Sequence, residues 1–157
     1  AGVMLQSGPL AMHVCRTDGA TDTGLDGRLA GTRDYLAVTG ACLAVRRAVF
    51  EQVGGFDGEH LPVAYNDIDL CLKVNDAGYR NICTPFASLL HLESASRGHD
   101  HVSEEKQQRA AREQAHASTK WIDRFEHDPY HNPNVQLDWL TGAHLAPTVG
   151  QPWQLAR

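Results

Sequence analysis

The segment from Asn66 to Asp76 constrains the fold more than any other, because its apolar residues recur with the period of an α-helix. Gly78 follows at a position where a glycine ends many helices. The sequence therefore predicts an amphipathic helix over 66–76 that packs one side against the rest of the domain. The residues of that apolar side are Ile68, Cys71, Leu72 and Ala77.

The first turn of this helix carries two carboxylates, Asp67 and Asp69, which point in different directions because they are two positions apart. Lys73 follows Asp69 by four positions in the favourable acid-before-base order, so we expect an ion pair between them. Asp67 then faces the chain before the helix, where its carboxylate could take a proton from a substrate hydroxyl. In the alternative interpretation, both aspartates only complement the positive end of the helix dipole.

Shorter patterns predict the elements before and after this helix. Gly54 and Gly55 end a helical turn at 47–53 whose inward positions are 48, 49 and 53. Gly40 bends a strand predicted over the alternating apolar residues at 35–46. The remaining predictions are strands at 3–6, 80–83 and 87–92 and a long loop at 17–33.

The last predicted helix begins after Ser103, which is a favourable N-cap followed by two glutamates. We expect it to reach about Glu126 and to bury one continuous stripe. That stripe comprises Ala111, Ala115, Ser118, Ile122 and Phe125.

Composition and charge exclude several classes of protein. The 157 residues are 42% apolar and 21% charged, with a net charge of −5, whereas nucleic-acid binders carry a basic surface. No apolar run approaches the roughly 20 residues that a membrane-spanning helix needs. The four cysteines have no C-x-x-C spacing, which fits reduced, buried thiols better than a zinc site or disulfides. They are Cys15, Cys42, Cys71 and Cys83.

Five short motifs follow one another in a fixed order over residues 35–135. They are VTGACLAVRR at 38–47, FEQVGGFD at 50–57, YNDIDLCLK at 65–73, AGY at 77–79 with HLESASRG at 91–98, and DPYHNPN at 128–134. Each motif alone is weak, but the ordered series resembles the C-terminal half of bacterial family 2 glycosyltransferases with the GT-A fold. The subgroup it resembles most is the rhamnosyltransferase or O-antigen type.

The resemblance implies a role for the acidic helix start. In that family an acidic pair opens the helix after the Gly-Gly-Phe-Asp turn, and its second member, which matches Asp67, deprotonates the acceptor. The first member is often glutamate in the family and is Asn66 here, which cannot titrate but still forms hydrogen bonds. Thr39, Gly40 and Ala41 match the strand end that faces the donor sugar, where a missing side chain lets substrate approach closely.

The resemblance also implies two charged contacts to the nucleotide diphosphate. His91 matches a histidine that helps hold a divalent metal, Mn²⁺ or Mg²⁺, and its alternative role is that of a buried strand histidine. Arg97 could neutralise the leaving diphosphate, and its alternative is an exposed loop charge. A metal-dependent hydrolase would need distant loops to converge, and the His-x-His pair at 99–101 is expected to be solvated. That hydrolase would use His91, Glu93, His99 and His101.

The fold class expected is α/β: the C-terminal half of a GT-A fold, with a short mixed sheet and flanking helices. Residues 1–127 are expected to form the part that carries the acceptor site and the base, and 128–157 an irregular tail. No Asp-x-Asp precedes Tyr35, so we expect the nucleotide-binding half to be absent and the isolated chain to transfer no sugar. The sheet edge left exposed predicts homo-oligomers.

The function implied is that of an inverting glycosyltransferase in cell-surface polysaccharide synthesis. It would move a sugar from a nucleotide-diphosphate donor to a carbohydrate or lipid-linked acceptor, in the cytoplasm or at the inner face of the membrane. The alternative is a non-catalytic module of the same fold that binds acceptor or mediates oligomerisation. An upstream half with Asp-x-Asp in the parent reading frame would favour the enzyme.

Overall fold

The computed structural model describes residues 2–6, 10–14, 19, 21–24, 27–89, 103–132, 134–138 and 142–145. Within these ranges the chain is an α/β protein of short strands and helices. The strands are β1 (Gly2–Gln6), β2 (Leu10–His13), β3 (Arg33–Tyr35), β4 (Ala37–Val38), β5 (Asn81–Cys83), β6 (Val135–Asp138) and β7 (Gly142–Leu145). The helices are α1 (Arg47–Gln52), α2 (Asn66–Asp76), α3 (Glu104–Lys120) and α4 (Ile122–Glu126).

The strands form three small sheets. β1 lies between β2 and β4 in the first sheet, β3 pairs with β5 in the second, and β6 pairs with β7 in the third. Each of these pairings is antiparallel. The mixed sheet that we expected is therefore not seen among the described strands.

The main core lies where α2 packs against the first sheet. Leu5 and Leu36 contribute from the sheet side, Leu72 from α2 and Phe125 from α4, and each is at most 3% exposed. A second cluster joins Val49 of α1 to Leu70 and Val74 on α2. Apolar contacts on both sides fix the position of α2.

The bounds predicted for α2 are confirmed, and three of its four inward residues are correct. Ile68, Cys71 and Leu72 are buried, whereas Ala77 is exposed because it follows the last turn. In α1, Val49 is buried and Val53 half-buried, but Ala48 is exposed. The helix ends as predicted at Gly54 and Gly55, which have φ of 79° and 64°.

The long strand predicted at 35–46 is wrong beyond Val38. The chain leaves β4 there and makes a short 3-10 turn over Gly40–Cys42, which Thr39 caps by accepting a hydrogen bond from the amide of Ala41 at 3.3 Å. Leu43 packs against the core, but Val45 is 39% exposed. The alternating apolar pattern therefore correctly indicated that Leu43 is inward, although the residue does not belong to a strand. The described part of the strand predicted at 87–92, residues 87–89, is also not a strand.

The last long helix begins after Ser103 as predicted, but its buried side is not the predicted stripe. Ala111 and Ala115 are exposed, and Ile122 is 53% exposed, because the side of the helix that faces the domain is a different one. The helix also breaks at Trp121, so α3 and α4 are two helices instead of the single one predicted. Of the predicted stripe, Phe125 is buried and Ser118 half-buried. The residues facing the domain are Glu113, Ala117, Trp121 and Phe125.

Two further expectations differ from the structure. Residues 128–157 were expected to be irregular, but β6 and β7 pair within them, from Val135↔Leu145 to Asp138↔Gly142.

Among the cysteines, Cys71 is buried, Cys83 half-buried and Cys42 exposed, so the prediction of burial is wrong for Cys42. These three are free thiols, and burial raises the pKa of Cys71 to about 11. Cys15 lies outside the described residues.

None of the helices in the described part of the chain is long and apolar enough to cross a membrane.

Candidate functional site

The first turn of α2 begins with a strained residue. Tyr65, the N-cap, has φ of 60°, the left-handed region that an aromatic residue rarely adopts. Its ring packs edge-on against Phe125, with centroids 6.4 Å apart, and burial raises the pKa of its hydroxyl. Such strain costs about 1–3 kcal/mol and persists only where the surroundings hold it. Ring packing therefore holds the sharp bend that places Asn66 and Asp67 at the start of the helix.

Asp67 is half-buried, and both of its carboxylate oxygens accept hydrogen bonds from backbone amides. Oδ2 accepts from the amide of Gly40 at 2.7 Å, and Oδ1 accepts from the amide of Ile68 at 2.9 Å. A carboxylate oxygen has two acceptor positions, so one on each oxygen is left for a further donor. The side chain is thus fixed in position without using its full capacity.

Gly40 allows the backbone to approach this carboxylate closely. A Cβ at position 40 would lie 3.1 Å from the Cβ of Asp67 and 3.4 Å from its Oδ2. The structure therefore brings Thr39, Gly40 and Ala41 to the same place as Asp67 and Asn66. The resemblance implies that the missing side chain lets substrate approach closely, and in the structure it also lets the carboxylate of Asp67 approach the Gly40 amide.

Asp69 has a different environment and is fully buried. Its Oδ2 lies 3.0 Å from Lys73, which confirms the predicted pair, and its Oδ1 lies 2.7 Å from Lys120 and 2.8 Å from the indole nitrogen of Trp121. Burial raises the pKa of Asp69, but the hydrogen bonds from Lys120 and Trp121 and the charge of Lys73 lower it by more. The net result is a pKa below the ordinary value of 3.8. Asp69 therefore holds α2 against the end of α3.

The loop before α2 is anchored by a residue that the sequence did not reveal. Glu113, 2% exposed on α3, accepts a hydrogen bond from the amide of Ala64, and its other oxygen lies 3.2 Å from Arg109. Lys73 also donates to the carbonyl of Gly55 at 2.5 Å, which fixes the turn after α1. Periodicity misses Glu113 because it assigns glutamate to the solvent side of a helix.

Asp57 organises the turn between α1 and α2. Its Oδ1 accepts from the amide of His60 at 3.0 Å and lies 3.1 Å from the Nδ1 of the same residue. The backbone hydrogen bond from His60 is the main cause that lowers the pKa of Asp57 to about 2, and the charges of His60 and Lys120 act in the same direction. The carboxylate is therefore ionised at neutral pH.

One group of three side chains in the described part of the chain has the spacing of metal ligands, namely Asp57, His60 and His116. The sequence did not indicate it, because His116 is on α3, and no short spacing connects it to the other two. The predicted metal ligand His91 and the predicted diphosphate contact Arg97 lie outside the described residues. The same holds for the hydrolase candidates Glu93, His99 and His101.

Comparison with known proteins gives partial relatives. No family profile matches the chain, and no solved structure matches it significantly. The uncharacterized protein y4gI of Sinorhizobium fredii is 44% identical over 138 residues, which are 88% of this chain and 15% of that protein.

Two relatives carry functional names. The O-antigen biosynthesis protein RfbC of Myxococcus xanthus is 40% identical over 112 residues, 71% of this chain and 8% of that protein. The N-acetylglucosaminyl-diphospho-decaprenol L-rhamnosyltransferase of Mycobacterium tuberculosis is 39% identical over 66 residues, 42% of this chain and 21% of that protein. The chain thus spans only a small part of the length of each relative.

Proposed function

We propose, on the premise of the glycosyltransferase relationship that these partial relatives support, that the chain is the C-terminal part of a family 2, GT-A inverting glycosyltransferase. The proposed enzyme moves a sugar from a nucleotide-diphosphate donor to a carbohydrate or lipid-linked acceptor hydroxyl. The proposed reaction takes place in the cytoplasm and is a step in the synthesis of a cell-surface polysaccharide. The names of the two relatives, which concern O-antigen synthesis and rhamnosyl transfer, support this direction.

The observation that carries the proposal is the position of Asp67. The amide of Gly40 fixes Oδ2 at 2.7 Å, and the absent side chain at position 40 allows that approach. The neighbouring Asp69 is fully buried and held by two lysines, so it cannot reach a substrate. Of the two carboxylates at the start of α2, only Asp67 can receive an acceptor proton.

The proposed reaction is a direct displacement at the anomeric carbon. The proton of the acceptor hydroxyl passes to Asp67 while the hydroxyl oxygen bonds to that carbon. The bond from the carbon to the diphosphate oxygen breaks, its electron pair leaves with the nucleoside diphosphate, and the configuration inverts. Asn66, Thr39 and Ala41, which lie beside Asp67, are proposed to contact substrate.

Mn²⁺ or Mg²⁺ would supply positive charge to the leaving diphosphate, with His91 as a proposed ligand and Arg97 as a second cation. Because both residues lie outside the described ranges, Asp67 is the only residue to which a chemical step is assigned.

The donor nucleotide is proposed to bind to a part of the full-length protein other than this chain. We therefore expect the isolated chain to transfer no sugar and to give no heat on titration with UDP, GDP or dTDP in the presence of Mn²⁺. Micromolar binding of any of these nucleotides would contradict the assignment of the donor site to another part.

The activity itself is tested with the full-length protein and a panel of UDP-, GDP- and dTDP-sugars. We expect release of nucleoside diphosphate from one of them, stimulated by a polyprenyl-linked or free saccharide acceptor. A folded full-length protein that releases nucleotide from none of the donors would instead favour the non-catalytic module.

A further inference from the structure

Three potential metal ligands meet between the turn before α2 and the middle of α3. Asp57 and His60 belong to the turn, and His116 belongs to the helix. Asp57 Oδ1 lies 3.1 Å from His60 Nδ1, and Asp57 Oδ2 lies 3.7 Å from His116 Nε2. One ligand atom from each residue falls within 4.8 Å of the other two.

The ring nitrogen of His116 is the least satisfied member of this group. Its Nε2 is enclosed by protein and has no hydrogen-bond partner among the described residues. The carboxylate oxygen that faces it at 3.7 Å is too far for a hydrogen bond. This nitrogen and the Asp57 carboxylate are therefore two potential ligand groups that face each other without a hydrogen bond between them.

The distances suit a small ion with short bonds. Zinc binds imidazole nitrogen and carboxylate oxygen at about 2.0–2.2 Å, so two ligand atoms on one tetrahedral zinc lie roughly 3.3 Å apart. The 3.1 Å separation involves Oδ1 of Asp57 and the 3.7 Å separation involves Oδ2, so each pair of ligand atoms taken by itself is close to that value. One atom from each of the three residues lies within 4.8 Å of the other two, so the side chains must move slightly closer to hold one ion. The side chains of His60 and His116 are 50% and 33% exposed, which leaves both rings room to adjust.

The two imidazoles now lie in a parallel stack, with centroids 4.5 Å apart and an interplanar angle of 9°. Lone pairs of parallel rings do not converge, so metal binding must tilt the rings out of the stack. This change gives the site its own spectroscopic signature, which does not depend on any enzyme activity.

Lys120 is the cation nearest to this group, and it is engaged elsewhere. Its ammonium lies 3.8 Å from Asp57 Oδ2 but 2.7 Å from Asp69 Oδ1, so its close partner is Asp69. Lys120 is therefore not a close partner of Asp57, and among the described residues the near neighbours of this carboxylate are the rings of His60 and His116.

We propose that Asp57, His60 and His116 form a site for Zn²⁺ or a similar transition-metal ion, with three protein ligands and a water in the fourth position. Two imidazoles and one carboxylate favour zinc, cobalt or nickel over magnesium or calcium. The bound ion clamps the turn at Asp57 to α3, and so steadies the segment that leads to Asp67. The proposed site uses other residues than the donor-diphosphate metal proposed at His91, and it does not depend on the proposed transferase activity.

Calorimetric titration of the full chain with Zn²⁺ alone, without nucleotide, tests this proposal. We expect one saturable site, and loss of a ligand in His60→Ala or His116→Ala weakens it by about 100-fold or more, beyond the 10–100-fold typical of outer-shell changes. His127→Ala, which removes an exposed histidine at the end of α4, and the double variant His99→Ala/His101→Ala should bind like the unsubstituted chain. His91→Ala should also leave binding unchanged.

NMR of the unsubstituted chain provides a second measurement that does not require a variant to fold. Zn²⁺ should shift the ring signals of His60 and His116 together, as their stack opens, and the signal of His127 should stay in place. Absence of saturable binding would overturn the proposal. Binding that is lost in His99→Ala/His101→Ala or His91→Ala, but kept in folded His60→Ala and His116→Ala, would also overturn it.

Discussion

The amide of Gly40 donates a 2.7 Å hydrogen bond to Oδ2 of Asp67, and this contact joins the turn after β4 to the first turn of α2. The Gly40 N–H thus bonds to a side chain, whereas the ladder between β1 and β4 extends only to Val38. It also holds the carboxylate in one position at the mouth of the helix. Fold and proposed chemistry therefore depend on the same contact.

Gly40→Ala tests how closely the two segments approach. The added methyl would lie 3.1 Å from the Cβ of Asp67, so one of the segments must shift, and we expect a loss of about 1–3 kcal/mol in the free energy of unfolding. Urea denaturation measures this loss in the free energy of unfolding. Gly31→Ala is the matched control, because a Cβ there meets nothing within 4 Å, and it should be neutral or slightly stabilising. Equal effects of the two substitutions would refute the close contact.

Asp69 should make stability sensitive to acid. Because its folded pKa lies below 3.8, its contribution is fully present above the unfolded pKa and is lost as pH falls through the folded value. At neutral pH we expect Asp69→Asn to cost about 2–4 kcal/mol of unfolding free energy, since two lysines lose their partner. Below about pH 4 the difference from the unsubstituted chain should shrink.

Urea denaturation between pH 7 and pH 2 checks this dependence. Asp34→Asn is the control, since Asp34 pairs with Arg80 at 3.3 Å on the surface, where a pair is worth about 0–1 kcal/mol. A difference between Asp69→Asn and the unsubstituted chain that stays constant at every pH would show that Asp69 is not held ionised by these cations.

Glu113 should matter through the backbone of the loop that it anchors. Glu113→Ala leaves the amide of Ala64 without its acceptor, and we expect a loss of about 2 kcal/mol. Glu113→Gln keeps an acceptor oxygen and should recover most of that stability. The exposed Glu105→Ala on the same helix should change little. If Glu113→Gln lost as much unfolding free energy as Glu113→Ala, the hydrogen bond to the amide of Ala64 could not be the reason that Glu113 is buried.

Exposed apolar residues around β5 predict self-association of the isolated chain. Ile82 is 48% exposed on a strand that pairs only with β3 among the described residues, and Phe86 and Leu89 after it are 84% and 72% exposed. Light scattering should show oligomers that grow with concentration, and Ile82→Lys should reduce them by placing a charge at the edge. A clean monomer at high concentration would argue against this edge as a contact.

Local signals in the sequence were enough to predict three helix boundaries, but not the break between α3 and α4 at Trp121. Glycines past α1 and α2, and the serine before α3, are read from short-range physics, and all three mark boundaries where the structure has them. The ion pair between Asp69 and Lys73 could also be predicted from the sequence, because a helix sets the distance between positions four apart.

Contacts between distant segments explain what the sequence did not show. α3 is oriented by polar contacts from Glu113 to Ala64 and from Lys120 and Trp121 to Asp69, so a stripe drawn through its alanines pointed the wrong way. Likewise, His116 joins Asp57 and His60 only after α3 has packed beside their turn. Buried charged groups carry no periodic signal, and they are what positions this candidate site.

The most direct test of the central proposal, that Asp67 is the catalytic base, is kcat for sugar transfer by the full-length protein carrying Asp67→Asn. Asparagine keeps the shape and can still accept the hydrogen bond from Gly40, but it cannot take the acceptor proton. The matched control is Asp76→Asn, which removes the same charge from the other end of α2, where Asp76 is 45% exposed. We predict that Asp67→Asn lowers kcat by about 10²–10⁴-fold with donor binding unchanged, whereas Asp76→Asn stays near the unsubstituted value. A kcat for Asp67→Asn within about threefold of the unsubstituted protein would contradict the assignment, since a general base contributes at least about 100-fold.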